Sequence, residues 1–263
     1  MRSLAVLIGT ILLLCGCGGG GDDSSSRPLR GYGMVNYWMT LSDSDMESFF
    51  KCLSDNRVGM TSMELFGHEE DGWINKQNEI KARFDVFIKT ARRYDIVVFI
   101  DMVNWNSESL IIQDDAWFQG WLDFINSYGP TNMIVQAAAE STGDKAERWY
   151  QMTVNTLTTF ALSYNMGSRP ASAPDRYQYI DYHCSSMSDT GPNDARFIAN
   201  TDHSTILNEM QDGGVNGQTF NTDKIVEFAS PIIGQGRIVN LYGFNHKTYD
   251  QNAIRTLGAI SSD

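Results

Sequence analysis

The segment IVVFIDMVNW, residues 96–105, is an almost uninterrupted run of apolar, strand-forming residues. It directly follows residues 78–95, whose apolar side chains recur with the period of a helix. A strand that is apolar on both of its faces has to be covered on both faces, which is typical of a parallel sheet flanked by helices. The segment therefore predicts an α/β protein.

The rest of the chain repeats this alternation of strand and helix. The spacing of about 30 residues between successive strands predicts βαβ units and a parallel sheet. Strands are predicted at 34–39, 61–67, 96–105, 132–140, 176–184, 195–203 and 237–244, and helices at 42–56, 78–95, 114–129, 144–165, 204–212, 222–232 and 249–260. Residues 166–175 are interpreted as a loop.

The ends of the predicted strands carry most of the polar and aromatic residues that could form a site. A closed barrel gathers all the strand ends around one mouth, whereas an open sheet, the alternative, spreads them along an edge. Residues 29–263 also have the length of one such barrel. We predict a single (β/α)8 TIM barrel over 29–263, with one strand irregular or degenerate because only seven are recognised.

The N-terminus predicts export. A basic Arg2 precedes an apolar run too short to span a bilayer, so residues 1–16 are interpreted as a signal peptide. The tetrad Leu14-Cys15-Gly16-Cys17 resembles the bacterial lipobox, which implies cleavage after Gly16 and lipid on Cys17, at the cell surface or the periplasmic face. Residues 17–28, rich in Gly and Ser, would be a tether. A plain secretory peptide is the alternative.

Composition narrows the range of partners. The formal net charge of −12 argues against nucleic acid, because an acidic surface repels the phosphate backbone. The sequence has no CxxC or HExxH motif, and its four histidines lack the spacing of metal ligands, so we expect no metal and no other cofactor. We expect a monomer that meets the membrane only through its lipid.

The segment NMIVQAAAES, residues 132–141, carries a specific resemblance. It resembles the fourth strand of clan A glycoside hydrolases, best known from family 5 cellulases and mannanases, in which an apolar strand ends in Asn-Glu-Pro. The resemblance implies that Glu140 is the acid/base. Ala139 and Ser141 depart from the pattern, since they replace its sugar-binding Asn and its Pro. Residues 96–106 also resemble the third strand of the clan.

The position of Glu140 suits a general acid on physical grounds as well. Glycoside hydrolysis needs one carboxylic acid that is partly desolvated, so that it keeps a proton near neutral pH, and a second carboxylate for the oxocarbenium-like centre. A glutamate that leaves an apolar, alanine-rich strand fits the first role. In the alternative interpretation, Glu140 caps the following helix or pairs with Lys145 or Arg148.

The second carboxylate has three candidates. In the resembling clan, the nucleophile is a Glu that closes the seventh strand, and the corresponding segment predicted here, 195–203, ends in Asp202 and His203. Asp202 could instead be the N-cap of a helix over STILNEM. The alternatives are Glu64, and Asp181 in a segment that resembles the clan's sixth strand with its sugar-binding His and Tyr.

Further strand-end residues could bind sugar. Aromatic rings stack on the apolar faces of pyranoses, while polar side chains bind the hydroxyls at the edges. The candidate rings are those of Trp38, Trp105, Tyr182 and Tyr242. The candidate polar contacts, of which the histidines could also tune Glu140, are Glu64, Asp101, Asn104, Asp181, His183, His203 and His246.

Taken together, these residues predict a surface-anchored glycoside hydrolase that cleaves β-linked polysaccharide or oligosaccharide. The carboxylates around the mouth favour neutral or basic glycans over anionic ones. The alternative is a non-catalytic carbohydrate-binding lipoprotein on a degenerate barrel, which the absent Asn-Glu-Pro signature favours. A pair of carboxylates facing one open cleft would indicate the enzyme, whereas a single one would indicate the binding protein.

Overall fold

The computed structural model describes residues 29–34, 37–66, 76–103, 113–165, 173–183, 204–210, 220–242 and 249–261. Eight strands form a closed barrel in which each strand is parallel to the next and β8 pairs with β1. This confirms the predicted fold class. The strands are β1 (Arg30–Gly33), β2 (Met60–Phe66), β3 (Val97–Val103), β4 (Met133–Gln136), β5 (Ala161–Tyr164), β6 (Tyr179–His183), β7 (Ser204–Met210) and β8 (Ile238–Tyr242).

Six helices of the described chain surround the barrel. They are α1 (Asp43–Asp55), α2 (Gln77–Arg93), α3 (Asp115–Asn126), α4 (Asp144–Thr156), α5 (Thr222–Ile233) and α6 (Gln251–Ala259). Four of them begin at a polar residue whose side chain accepts backbone N–H groups of the first turn, as at Ser42 and Asp114. Such caps are readable in the sequence, which is why most helix starts were predicted within one or two residues.

The core has two layers, and they explain the apolar run at 96–105. One small cluster contains strand residues only and fills the amino-terminal end of the barrel interior: Met60, Phe99, Ile134, Ile206 and Ile238. A larger cluster lies between the barrel and the helices, and includes Val98, Ile100 and Met102 of β3. Alternate residues of β3 therefore enter different apolar layers, so the strand is apolar on both faces.

The prediction of the first strand at 34–39 is wrong. The strand lies earlier, at Arg30–Gly33, and Tyr37–Met39 form a turn of 3-10 helix. The glycines of β1 permit a close approach to its neighbours, because a Cβ on Gly33 would lie 2.1 Å from Ser62 Oγ. Short glycine-rich strands carry a weak signal of alternation, which is why RGYG was overlooked.

The predicted helix over 144–165 combines a helix with a strand. Helix α4 ends at Thr156, and residues 161–164 form β5, the strand that the sequence did not reveal. The guanidinium group of Arg176 donates to the carbonyls of Leu157, Thr158 and Phe160, which form the turn between α4 and β5. A contact of this kind depends on the tertiary fold, so local propensity could not indicate it.

The predicted helix over 204–212 is also wrong, because Ser204–Met210 form β7. This segment pairs with β6 over five residues and with β8 on its other edge. The strand predicted at 195–203 lies outside the described residues, and so do Cys17 and the whole of the predicted signal peptide and tether. Within the described chain, none of the helices has the length and apolarity needed to span a membrane.

Candidate active site

Polar side chains of several strands share the carboxyl edge of the barrel. Glu64 of β2 pairs in register with Asp101 of β3, and Asp101 pairs with Gln136 of β4. Asp181 and His183 lie on β6, and Tyr242 is the last residue of β8. All of these side chains are buried or nearly buried. The barrel therefore brings together the strand-end residues that were predicted to meet at one mouth.

Glu140 lies beyond β4 on this edge, where the chain leaves the barrel. Ala137, Ala138 and Ala139 are buried, and the N–H of Ala139 donates to the carbonyl of Val103 at 2.7 Å, so the segment continues alongside β3. Glu140 itself has a φ of 51°, a left-handed conformation that is unusual for a residue with a Cβ. Its side chain is 24% exposed. The carboxyl group thus faces both solvent and the buried interior.

The partner of Glu140 in the interior is His183. Nδ1 of His183 lies 3.3 Å from Oε1 of Glu140, and Nε2 lies 2.8 Å from Oδ2 of Asp181. The side chains of His183 and Asp181 are 2% and 0% exposed. The imidazole therefore connects a partly exposed carboxyl group to a fully buried one. Glu140 does not cap α4, whose N-cap is Gly143 without a side-chain hydrogen bond.

Two amide side chains complete this network, and sequence reasoning missed both. Asn165, directly after β5, accepts the backbone N–H of Glu140 at 2.8 Å and donates to the carbonyl and the Oδ2 of Asp181. Gln136 donates to the same Oδ2 at 2.9 Å. Asn165 was assigned to the end of a helix, and the only signal for Gln136 is that a polar residue interrupts an apolar strand.

Tyr150 of α4 supports this network through two hydrogen bonds of its hydroxyl group. Its hydroxyl accepts the N–H of Asn165 at 2.9 Å and donates to the carbonyl of Ala138, next to the turn that carries Glu140. Burial raises the pKa of the Tyr150 phenol well above its ordinary value. The hydroxyl therefore keeps the proton that it donates to Ala138.

Glu64 belongs to a second group of contacts across the barrel. The hydroxyl of Tyr242 donates to Oε1 of Glu64, and the indole N–H of Trp38 donates to the Glu64 carbonyl at 2.8 Å. Glu64 is 1% exposed. In this arrangement Glu64 links β8 and the 3-10 turn to β2, and its side chain lies in the interior of the barrel.

The aromatic residues require a correction. Trp38 is 0% exposed and packs edge-on against Phe87, so it is a core residue and not a ring for sugar to stack on. Tyr182 is buried in the cluster between barrel and helices, and Tyr242 is buried against Glu64. Trp121 and Trp149 of α3 and α4 are also buried and belong to the core.

Five of the predicted site residues lie outside the described residues: Asn104, Trp105, Asp202, His203 and His246. They remain predictions. Asp202 was a candidate nucleophile because it was expected at the carboxyl end of the seventh strand. The end of β7 that adjoins Asp202 in the sequence is its amino end, at Ser204.

The carboxyl end of β7 offers a different carboxylate. Glu209 is the penultimate residue of this strand, and the register between β7 and β8 shifts between Leu207 and Met210, so Glu209 lies within the irregular part. Irregular pairing of this kind is common next to active sites. Sequence reasoning missed Glu209 because STILNEM was interpreted as a helix. Among the residues that the structure describes, no group of three or more His, Cys, Asp or Glu could hold a metal ion.

The fold is an eight-stranded (β/α) barrel, and several solved family 5 glycoside hydrolases share it. The chain is similar to a thermostable, halotolerant family 5 cellulase from an Icelandic hot spring isolate, with a TM-score of 0.65 at 16% identity over 84% of this chain and 78% of the other. It is also similar to the endo-β-1,4-mannanase of Thermotoga petrophila, with a TM-score of 0.64 at 10% identity over 89% and 77%.

A third similar structure is an endoglucanase of Thermobifida fusca, solved with cellotetraose, with a TM-score of 0.62 at 12% identity over 85% of this chain and 79% of the other. The chain spans 59% of the length of a family 5 glycoside hydrolase from Bacteroides vulgatus that it also matches. No family model and no curated protein sequence matches the chain. At these identities the likeness establishes the fold.

Proposed function

We propose that the protein is a hydrolase of β-linked glycans and that Glu140 is its acid/base. The observation that carries the proposal is the contact between Glu140 and the buried His183 at the carboxyl edge of the barrel. A carboxyl group that is partly desolvated and faces an imidazole can hold a proton and still reach a substrate. The cellulase and mannanase architecture supports β-linked glycans as the substrate class.

We propose Glu209 as the nucleophile, in place of Asp202. Glu209 lies at the carboxyl end of β7, where the resembling clan has its nucleophilic Glu, and this is the edge of the barrel that carries Glu140. Asp202 precedes the amino end of the same strand. Glycosidases whose two catalytic carboxyl groups lie about 5 Å apart hydrolyse their substrate with retention of configuration at the anomeric carbon.

In this mechanism Glu140 donates its proton to the glycosidic oxygen while Glu209 attacks the anomeric carbon. The C–O bond to the leaving group breaks and a covalent glycosyl-enzyme forms. Water then attacks the same carbon, and Glu140, now a carboxylate, accepts its proton. The preferred substrates are neutral glycans, since Asp101, Asp181 and the two catalytic carboxylates repel anionic ones.

We also propose that the enzyme acts at a membrane surface, held by lipid on Cys17 and the tether at 17–28. The support is the lipobox-like tetrad that precedes the Gly/Ser-rich segment. A tether of this composition lets a monomeric barrel reach insoluble or large glycans from a fixed anchor.

A non-catalytic glycan-binding protein is the alternative, and one observation favours it. Position 139, where the resembling clan has a sugar-binding Asn, is a fully buried Ala whose N–H is bonded to Val103. The site therefore lacks an amide that contacts sugar in that clan. The binding alternative predicts that glycans bind without being cleaved.

The test is hydrolysis of neutral β-glucans and β-mannans by the wild type, Glu209→Gln and Asp202→Asn. We expect Glu209→Gln to remove turnover and Asp202→Asn to retain it. A slowly hydrolysed aryl glycoside should then add one glycosyl unit to the wild type, and peptide mapping should locate it on Glu209. Labelling of Asp202 would reverse the assignment of the nucleophile, and binding of glycans without cleavage by the wild type would refute the enzyme.

A further inference from the structure

The orientation of the Asn165 amide is set by groups whose hydrogen-bonding roles are not ambiguous. The backbone N–H of Glu140 can only donate, so the atom of Asn165 that it meets at 2.8 Å is the oxygen. The carbonyl of Asp181 can only accept, so the atom that it meets at 2.9 Å is the nitrogen. The two contacts agree, and the NH2 group therefore also points at Oδ2 of Asp181, 3.2 Å away.

This orientation decides the tautomer of His183. Two amide donors around one oxygen favour a carboxylate, so Oδ2 of Asp181 acts as an acceptor towards Asn165, Gln136 and the imidazole alike. The 2.8 Å contact with Nε2 of His183 is then an Nε2–H bond to Oδ2. In a neutral imidazole with its proton on Nε2, Nδ1 carries a lone pair.

That lone pair faces Glu140. Nδ1 and Oε1 of Glu140 are 3.3 Å apart, within ion-pair distance but longer than a good hydrogen bond, so drawing the two atoms into a hydrogen bond requires a proton on one of them. Without it, two lone pairs would face each other beside a fully buried Asp181. We propose that Glu140 and His183 share one proton and titrate as a pair, with Asp181, Asn165 and Gln136 fixing the tautomer of the imidazole.

The pair lies among other titratable groups, and each belongs to an element packed around the barrel. They are Glu64 on β2, Asp101 on β3, Asp181 on β6, Tyr242 on β8 and Tyr150 on α4. Glu64 is bonded to Tyr242, and Tyr150 to Asn165 and Ala138. Within the described residues, His183 is the titratable side chain that lies in contact with Glu140.

The shared proton also gives His183 a role in the catalytic cycle, and this role rests on the proposed function. When Glu140 gives its proton to the leaving oxygen, its carboxylate faces Nδ1, and a proton taken up from solvent by Nδ1 restores the hydrogen bond. Asp181 then faces the imidazolium from the other side. When Glu140 accepts the proton of the attacking water, the imidazolium returns its own proton to solvent. His183 is thus a positioning residue that keeps Glu140 bonded in both protonation states.

The first test needs no substrate. Nitrogen NMR of protein labelled with 15N-histidine reports the tautomer and the titration of each imidazole, and the signal of His183 is identified by its absence in His183→Asn. We expect the Nε2–H tautomer near neutral pH and two linked titration steps, which become one step in Glu140→Gln, because an amide cannot exchange the proton. An Nδ1–H tautomer, or identical titration in wild type and Glu140→Gln, would overturn the proposal.

The second test is the pH profile of kcat/KM in His183→Asn. Asparagine places an amide near the position of Nδ1 that bonds to Glu140 without titrating, so Glu140 loses its proton alone. We expect the basic limb to move down by roughly two pH units, from the range of a histidine towards that of an isolated glutamic acid. A uniform loss of rate with an unchanged profile would indicate packing only.

The two tests distinguish a failure of the shared-proton proposal from a failure of the proposed function. If the NMR titrations are linked but no β-glycan is hydrolysed, the shared proton stands and the proposed function falls. If glycans are hydrolysed while His183 titrates independently of Glu140, the proposed function stands and the shared proton falls. Should His183→Asn fail to fold, the NMR comparison of the wild type with Glu140→Gln still tests the shared proton. Glu140→Gln should fold, because Glu140 is partly exposed and glutamine has the same shape.

Discussion

Glu140 is held in an unfavourable backbone conformation, and three contacts keep it there. A left-handed φ in a residue with a Cβ costs on the order of 1 kcal/mol or more, so the surroundings must compensate. Asn165 accepts its N–H, the N–H of Ala139 before it is bonded to Val103, and its carboxyl group contacts His183. Such strain is concentrated at functional sites, and here it aims the carboxyl group at the barrel mouth.

Glu140→Gln is expected to lose about 10²–10⁴ in kcat on a natural β-glycan, because the amide keeps the shape of the side chain but cannot donate a proton. An aryl glycoside, whose leaving group needs little protonation, should lose much less rate in its bond-breaking step. The measurement is kcat on both substrates, together with the melting temperature, which should change little.

The matched control is Glu147→Gln on the exposed side of α4, which makes the same substitution a few residues away. It should hydrolyse both substrates at the wild-type rate. Full activity of Glu140→Gln on the natural glycan would remove Glu140 from the site.

At the scale of elements, α6 approaches the end of α1 closely. A Cβ on Gly258 of α6 would lie 1.8 Å from the backbone carbonyl oxygen of Asn56, the C-cap of α1. Backbone cannot move aside as the end of a side chain can. Gly258 therefore sets how closely α6 approaches α1, next to the place where β8 closes the barrel onto β1.

Gly258→Ala is expected to destabilise the domain by about 1–3 kcal/mol, because α6 must shift away from α1. Gly120→Ala is the control: Gly120 is exposed on α3 and a Cβ there meets nothing within 4 Å. That variant should gain up to about 1 kcal/mol from its better helix propensity. Urea unfolding of both variants measures the difference, and equal effects of the two substitutions would contradict the role of Gly258.

At the scale of the whole molecule, we expect the predicted anchor and the barrel to be independent. The eight strands that close the barrel all lie between Arg30 and Tyr242. Changes in the N-terminal segment should therefore alter the location of the protein without altering its stability.

Cys17→Ser is expected to move the protein from the membrane fraction to the soluble fraction, because it removes the thiol that would carry the lipid. Cys15→Ser, two residues earlier, is the matched control and should remain in the membrane fraction. Fractionation followed by thermal unfolding measures both properties, and the melting temperatures should agree. Unchanged partitioning of Cys17→Ser would disprove the lipoprotein proposal.

Features that depend on neighbours in the chain were predictable from the sequence. The apolar run of β3, the capped starts of α1 and α3, and the alternation of strands and helices each follow from a local pattern, and together they predict a barrel. Glu140 was identified because it follows such a strand. Glu64, Asp101, Asp181 and His183 were assigned to the same edge for the same reason.

The tertiary structure alone decided the features that depend on contacts across the fold. Arg176 binds the carbonyls of the turn between α4 and β5, β7 becomes a strand because it pairs on both edges, and Trp38 is buried because α2 covers it. The network of Glu140 draws on β4, β5 and β6, and its contacting side chains are up to 45 positions apart. Local propensity is weak compared with such pairing and burial, so Asn165 became recognisable only when the barrel placed it beside its partners, and Glu209 only when its segment proved to be a strand.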